Sequence, residues 1–182
     1  RAWTSLDYTN IKVRQKILSI IEEVLENYDV NGVELDFFRH DIFFKPNMFG
    51  QEATAEQCHI MTNLMRDIRL LTEKAGLKRH KPILIAVHTA DSLEYCREIG
   101  IDLTDWLEED LFDILVIGEF FQLNPWEKTI NLGHKYNVPV YPCLSNTRVP
   151  QDNIEAWRAE AYLAWQAGAD GIYTFNMYDP KY

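Results

Sequence analysis

Glu34 and Asp36 stand two residues apart in the run Gly32-Val33-Glu34-Leu35-Asp36-Phe37-Phe38-Arg39, which is otherwise mostly apolar. Side chains alternate along a strand, so Glu34, Asp36 and Phe38 share one face. Val33, Leu35 and Phe37 share the other and are suited to packing on helices. Burying two acids costs several kcal/mol unless they are paired or protonated. Arg39 and His40 are the nearest groups that could compensate. One reading makes Glu34 and Asp36 part of a buried ion-pair network with an Arg. The other gives them a role in binding or catalysis, because carboxylate pairs serve as acid, base and nucleophile in glycosidic cleavage. That chemistry needs carboxyls about 5–5.5 Å apart for retention, or about 6.5–9.5 Å for inversion.

Asp36 needs a partner acid, and the best candidate is Glu119 at the end of Asp113-Ile114-Leu115-Val116-Ile117-Gly118-Glu119. Gly118 before it would allow a sugar or backbone to come close. The competing reading has Glu119 capping the loop that follows. His88 ends the run Pro82 to His88 and is either a proton carrier near neutral pH or a satisfied core histidine. Asn176, Tyr178, Trp126 and Phe120 are candidate substrate contacts, the last two as stacking platforms, although core packing is the commoner fate of such rings. The loop Arg39 to Glu52 is long and aromatic for a connection and suits an active-site wall. Asp36, His88 and Glu119 could also hold a metal, but no H-x-H or H-E-x-x-H spacing supports that. No metal or cofactor is expected.

These residues sit in an alternation of strands and helices. An apolar stripe of Ile17, Leu18, Ile21, Val24, Leu25 and Tyr28 predicts a helix over about Asn10 to Tyr28, broken by Asn31-Gly32. Thr54 with Gln57 is a capping-box pattern opening a helix over Ala55 to Ala75, with Gly76 at its C′ position. A strand over Pro82 to His88 follows. Short helices are expected near Ser92 to Ile99 and around Trp106, then the strand ending at Glu119. Pro125 suits the first turn of a helix reaching Tyr136. A strand over Val138 to Leu144 carries Pro139 and Pro142. Asp152 with Glu155 opens a helix to Ala167, and Gly171 to Asn176 forms a fifth strand.

Strands buried between helices fit a parallel α/β sheet. No strand is followed by G-x-G-x-x-G, which argues against a dinucleotide fold. Polar residues recur at strand C-termini: Asp36 and Arg39, His88, Glu119, Ser145 with Asn146, and Asn176. A barrel gathers its site from those ends. The expected fold is therefore the C-terminal portion, about five βα units, of a (β/α)8 TIM barrel, with residues 1–182 as a single partial domain.

The segments Tyr28 to Arg39, Gly100-Ile101-Asp102 with Trp106, and Gly168 to Asn176 resemble glycoside-hydrolase-like barrel proteins. These are similar to the family 10-like glycosyl hydrolases of bacteria. The resemblance implies that the five strands are the fourth to eighth of a barrel. The first three and the last helix would be absent, leaving two open edges and exposed apolar surface. An upstream segment or a second chain would complete it. Many glycosidase barrels carry a catalytic Glu on the seventh strand. Here the matching strand ends in Cys143, Leu144 and Ser145, so a fourth-and-sixth pairing of Asp36 with Glu119 remains. The implied activity is cleavage of a poly- or oligosaccharide, with Asp36 as nucleophile or base and Glu119 as general acid. Glu34 and Arg39 would hold Asp36 ionised. The alternatives are a metal-dependent barrel hydrolase or lyase using His88, and a non-catalytic glycan-binding barrel.

The net charge of −10 disfavours nucleic acid and anionic membranes as partners. Cys58, Cys96 and Cys143 lack C-x-x-C spacing and read as three free, buried thiols. No stretch is apolar enough to span a bilayer. An extracellular or periplasmic location is the expectation.

Overall fold

The computed structural model describes residues 5–150 and 153–175. Helix α1 (Ile11–Asn27) leads into β1 (Gly32–Asp36), a 3-10 turn (Lys45–Phe49) and α2 (Ala55–Arg79). Next come β2 (Leu84–Thr89), the short helices α3 (Leu93–Glu98) and α4 (Leu103–Glu108), and β3 (Ile114–Ile117). The chain continues through α5 (Trp126–Lys135), β4 (Val140–Leu144), α6 (Ile154–Gln166) and β5 (Tyr173–Thr174). Asn176 and Tyr178 lie outside the described residues.

The helix signals act at the expected places. Asn10 caps α1 by accepting from Lys12 N. Thr54 and Gln57 form the reciprocal capping box of α2, at 3.2 and 2.9 Å. The far end of α2 differs from expectation. Gly76 lies inside the helix, and His80 takes the left-handed cap at φ 55°. The extra turn holds because Arg79 donates to the carbonyls of Leu25, Tyr28 and Val30. Gly76 is needed instead for contact, since a Cβ there would lie 2.9 Å from Lys81 O. Helix α6 is capped by Asn153, which accepts from Ala156 N at 3.0 Å. Asp152 lies outside the described residues.

All strand pairings are parallel and the order in space is β1-β2-β3-β4-β5. A doubly wound sheet must reverse its order at a switch point. This one never reverses, and right-handed crossovers then put the covering helices on one face. The sheet curls strongly away from them. Five flat strands at about 4.8 Å spacing would hold β1 and β5 about 19 Å apart. Yet Tyr173 Oη on β5 donates to Glu34 Oε1 on β1 at 2.9 Å. The result is a half-barrel, convex under its helices and concave where Glu34, Asp36, His88 and Tyr173 point.

The convex side is the core. Ile85, Val87, Leu115, Ile117 and Val140 are fully buried with Met61, Met65, Trp106 and Ile130. Trp106 satisfies its indole N–H on Thr62 Oγ1 at 3.0 Å. At the strand N-termini one clamp occurs twice. Asp113 accepts from Ile85 N and from Arg69. Asp170 likewise accepts from Val140 N and contacts His134. In each case a basic side chain of a helix, an Asp just before or near the next strand and an amide at the start of the preceding strand are tied together. The three cysteines are free and buried. No helix among the described residues is long and apolar enough to cross a membrane.

Candidate active site

Three strand ends converge on the concave face. Parallel register sets Asp36 beside His88, so their side chains share that face. Gly118, just past β3, has φ +72°, a left-handed conformation that turns the chain so that Glu119 points inward. Asp36, His88 and Glu119 each offer an atom within 4.8 Å of the others.

His88 lies between two acidic groups. Its Nε2 is 2.8 Å from Gly118 O, and a carbonyl only accepts, so Nε2 carries the proton. Nδ1 faces Asp36 Oδ1 at 3.7 Å and Glu34 Oε1 at 4.0 Å. Glu119 Oε2 is 3.9 Å from Nε2. His88 and Glu119 have no exposed surface. Among the described residues, His88 Nδ1 and both Glu119 carboxyl oxygens lack hydrogen-bond partners. Burial first, and the Asp36 charge second, push the Glu119 carboxyl up to about 7, with Arg39 opposing. Asp36 and Glu34 keep about a third of their side chains exposed, at 32% and 37%.

Asp36 is oriented differently from expectation. Its Oδ1 accepts from the backbone N–H of Phe38 at 3.0 Å and of Arg39 at 2.9 Å. The carboxylate thereby ends β1 as an Asx-type turn. Arg39 forms no ion pair with it. The guanidinium lies over the rings of Phe175 at 5.2 Å and Phe120 at 5.9 Å. Trp126 is not an open platform either. It is 4% exposed, its ring fills the space where a Gly118 Cβ would stand, and Arg148 covers it at 5.2 Å. The close approach at Gly118 is therefore by Trp126.

Arg39 and His40 line a cavity of about 740 Å³ with Phe38, Asp41, Met48 and Phe120. This gives the loop after β1 a wall as well as a packing role: Phe43 and Phe44 are buried beneath it. Phe38 separates the cavity from the acids and packs edge-on to His88 at 6.1 Å.

Sequence reasoning missed three residues. Tyr173 bonds Glu34, and burial, then that bond, raises its phenol above the ordinary value, keeping it a donor. Its parity with Gly171 and Phe175 was the available signal. Arg148 donates to Glu119 O at 3.0 Å and to Cys143 O, fixing the backbone that carries the buried acid. Asp91 is buried and accepts from the amides of Leu123 and Asn124, tying the loop after β2 to the loop after β3.

No protein-family profile and no curated protein sequence matches the chain. Among solved structures it is similar to a glycoside hydrolase family 18 N-acetylglucosaminidase from Paenibacillus barengoltzii, at 14% identity and a TM-score of 0.53. The match covers 78% of this chain and 48% of that enzyme, so the chain spans about half the enzyme's length. At this identity the likeness establishes fold alone, and the neighbour is of family 18, not family 10. The chain has a glycoside-hydrolase-like α/β fold, a curled half-barrel of five parallel strands.

Proposed function

We propose that the protein cleaves glycosidic bonds in an oligo- or polysaccharide, with Asp36 as nucleophile and Glu119 as general acid and then base. One observation carries the reading: Asp36 and Glu119 converge within 4.8 Å while Glu119 holds its proton up to about pH 7. One oxygen of each acid within 4.8 Å of the other is closer than the gap of about 6.5–9.5 Å that inverting enzymes keep for a water. The two environments push the acids toward different roles. Asp36 is partly solvated, and the two N–H bonds to its Oδ1 hold the carboxyl in one orientation, as an attacking group requires. Glu119 is desolvated and suited to donate a proton.

Glu119 has no exposed surface in this state. A glycosidic oxygen reaches it only after a neighbouring ring moves, and Tyr173, Phe38 and Phe175 are the rings packed on His88. Glu34, held by Tyr173, orients the His88 side of the site. Arg39 and His40 form the substrate wall. The five strands are read as the fourth to eighth of a (β/α)8 barrel in one domain, completed by an upstream segment or a second chain. The family 10-like resemblance and the family 18 neighbour both favour a carbohydrate substrate, and N-acetylglucosamine oligomers are the first to try.

The test is product chromatography over a panel of oligosaccharides, beginning with those oligomers. Asp36→Asn and Glu119→Gln should each lower kcat at least 1000-fold, on the order expected for loss of a nucleophile or acid. Wild-type turnover in both variants would end the assignment.

A further inference from the structure

We propose that Asp36, His88 and Glu119 bind a divalent transition cation of the Zn²⁺ type, and that the bound cation switches cleavage off by taking both carboxylates. The binding half stands on geometry alone. The inhibitory half rests on the function proposed above.

The cluster is rich in electron pairs and poor in positive charge. His88 and Glu119 are wholly buried, yet His88 Nδ1 and both Glu119 oxygens have no hydrogen-bond partner among the described residues. Buried polar atoms are almost always satisfied, so three orphans at one point call for a missing partner. The atoms facing Nδ1 are the carboxylate oxygens of Asp36 and Glu34, and a cation is the one partner that could serve them and Glu119 together. Arg39 does not supply it, because its guanidinium lies over Phe120 and Phe175.

The ligand atoms are already oriented. His88 Nε2 donates to Gly118 O at 2.8 Å, which turns Nδ1 toward Asp36 Oδ1 at 3.7 Å. A carbonyl holding the non-ligating nitrogen is the usual support of a metal-bound histidine. Two ligands about 2.1 Å from a tetrahedral ion lie about 3.4 Å apart, so this pair needs only a small contraction. Glu119 lies on the Nε2 side, with Oε2 3.9 Å from that nitrogen, and must swing across the ring edge to close the site. The backbone amides of Phe38 and Arg39 orient Asp36 in the same supporting way. One imidazole and two carboxylates form a set of intermediate softness, which favours Zn²⁺, Co²⁺ or Mn²⁺ over a cation bound by oxygen alone.

The experiment is equilibrium dialysis of chelator-treated protein against Zn²⁺. The visible spectrum of the Co²⁺ form reports coordination in the wild-type protein without any variant. One ion per chain is expected, with tetrahedral Co²⁺ bands. His88→Asn should weaken binding at least about tenfold, and His59→Gln, an exposed histidine elsewhere, should not. No stoichiometric binding, octahedral aqueous Co²⁺ bands, or equal affinity in the two variants would overturn the site. On a cleaved glycan, turnover should fall in step with occupancy. Turnover that appears only on adding Zn²⁺ would overturn the inhibitory half and the acid assignment together. Stoichiometric binding with no glycan cleaved in either form would defeat the proposed function and, with it, the inhibitory half, while the site stands.

Discussion

Replacing Glu119 by Gln removes one ionisable group and keeps its shape, so the consequence can be worked out from the site. Burial and Asp36 raise this carboxyl from an ordinary 4.5 to about 7 in the folded chain. Below about pH 4.5 the group is neutral both folded and unfolded, and it costs the fold nothing. Between about pH 4.5 and 7 the unfolded chain releases the proton while the native chain keeps it. The native state then binds more protons, so stability falls as pH rises, and it levels off above about pH 7. The gap of roughly 2.5 units corresponds to about 3 kcal/mol at 1.36 kcal/mol per unit. Glu119→Gln lacks this slope. Its amide N–H groups add a buried cost of about 1–3 kcal/mol, but that cost does not vary with pH. Urea unfolding of both proteins at about pH 4 and about pH 8.5 measures the difference of differences. The variant should gain about 3 kcal/mol on the wild type between those two pH values. Parallel stability curves would refute the claim that Glu119 is held protonated, and would remove the basis for its role as acid.

Four further outcomes follow from the same geometry. On a cleaved glycan, kcat/KM should decline through about pH 7 as Glu119 ionises, and a flat profile to about pH 9 would contradict the acid role. Tyr173→Phe removes the bond to Glu34. Because Glu34 is partly exposed, the stability loss should be only about 1 kcal/mol by chemical denaturation, while kcat falls more than KM changes. Gly118→Ala combines a φ of +72° with a Cβ 3.1 Å from Trp126, and should cost about 2 kcal/mol or more, visible as a lowered melting temperature. Asp91→Ala leaves the amides of Leu123 and Asn124 without their acceptor and should cost about 2 kcal/mol, and a loss under about 1 kcal/mol would show that water replaces the carboxylate.

The parity of β1 was legible because strand alternation is a property of the backbone. Glu34 and Asp36 do point to the side opposite the helices. Glu119 and His88 were legible as strand ends, and parallel register delivers them to one place. What compensates the acids was not legible. Arg39 looked like the counter-ion for Asp36, but two backbone amides took that role because the chain turns at once after Asp36. Trp126 looked like a platform, but the left-handed Gly118 draws its ring into the core. Tyr173 went unread because its partner is 139 positions away, and only the curl of the sheet makes them neighbours.

That long separation bears on when the site comes into being. Closing a loop of this size is entropically costly, and contacts so far apart in sequence form after local ones. During synthesis the βα units nearer the N-terminus have their own helices to cover them and can gather first. The bond from Tyr173 to Glu34 cannot form until β5 has been made. Glu34 therefore waits in water for its phenol partner, and it keeps 37% of its side chain exposed even after β5 arrives. A contact that joins the two edges of the sheet is thus made only after the βα units between them have gathered their apolar core.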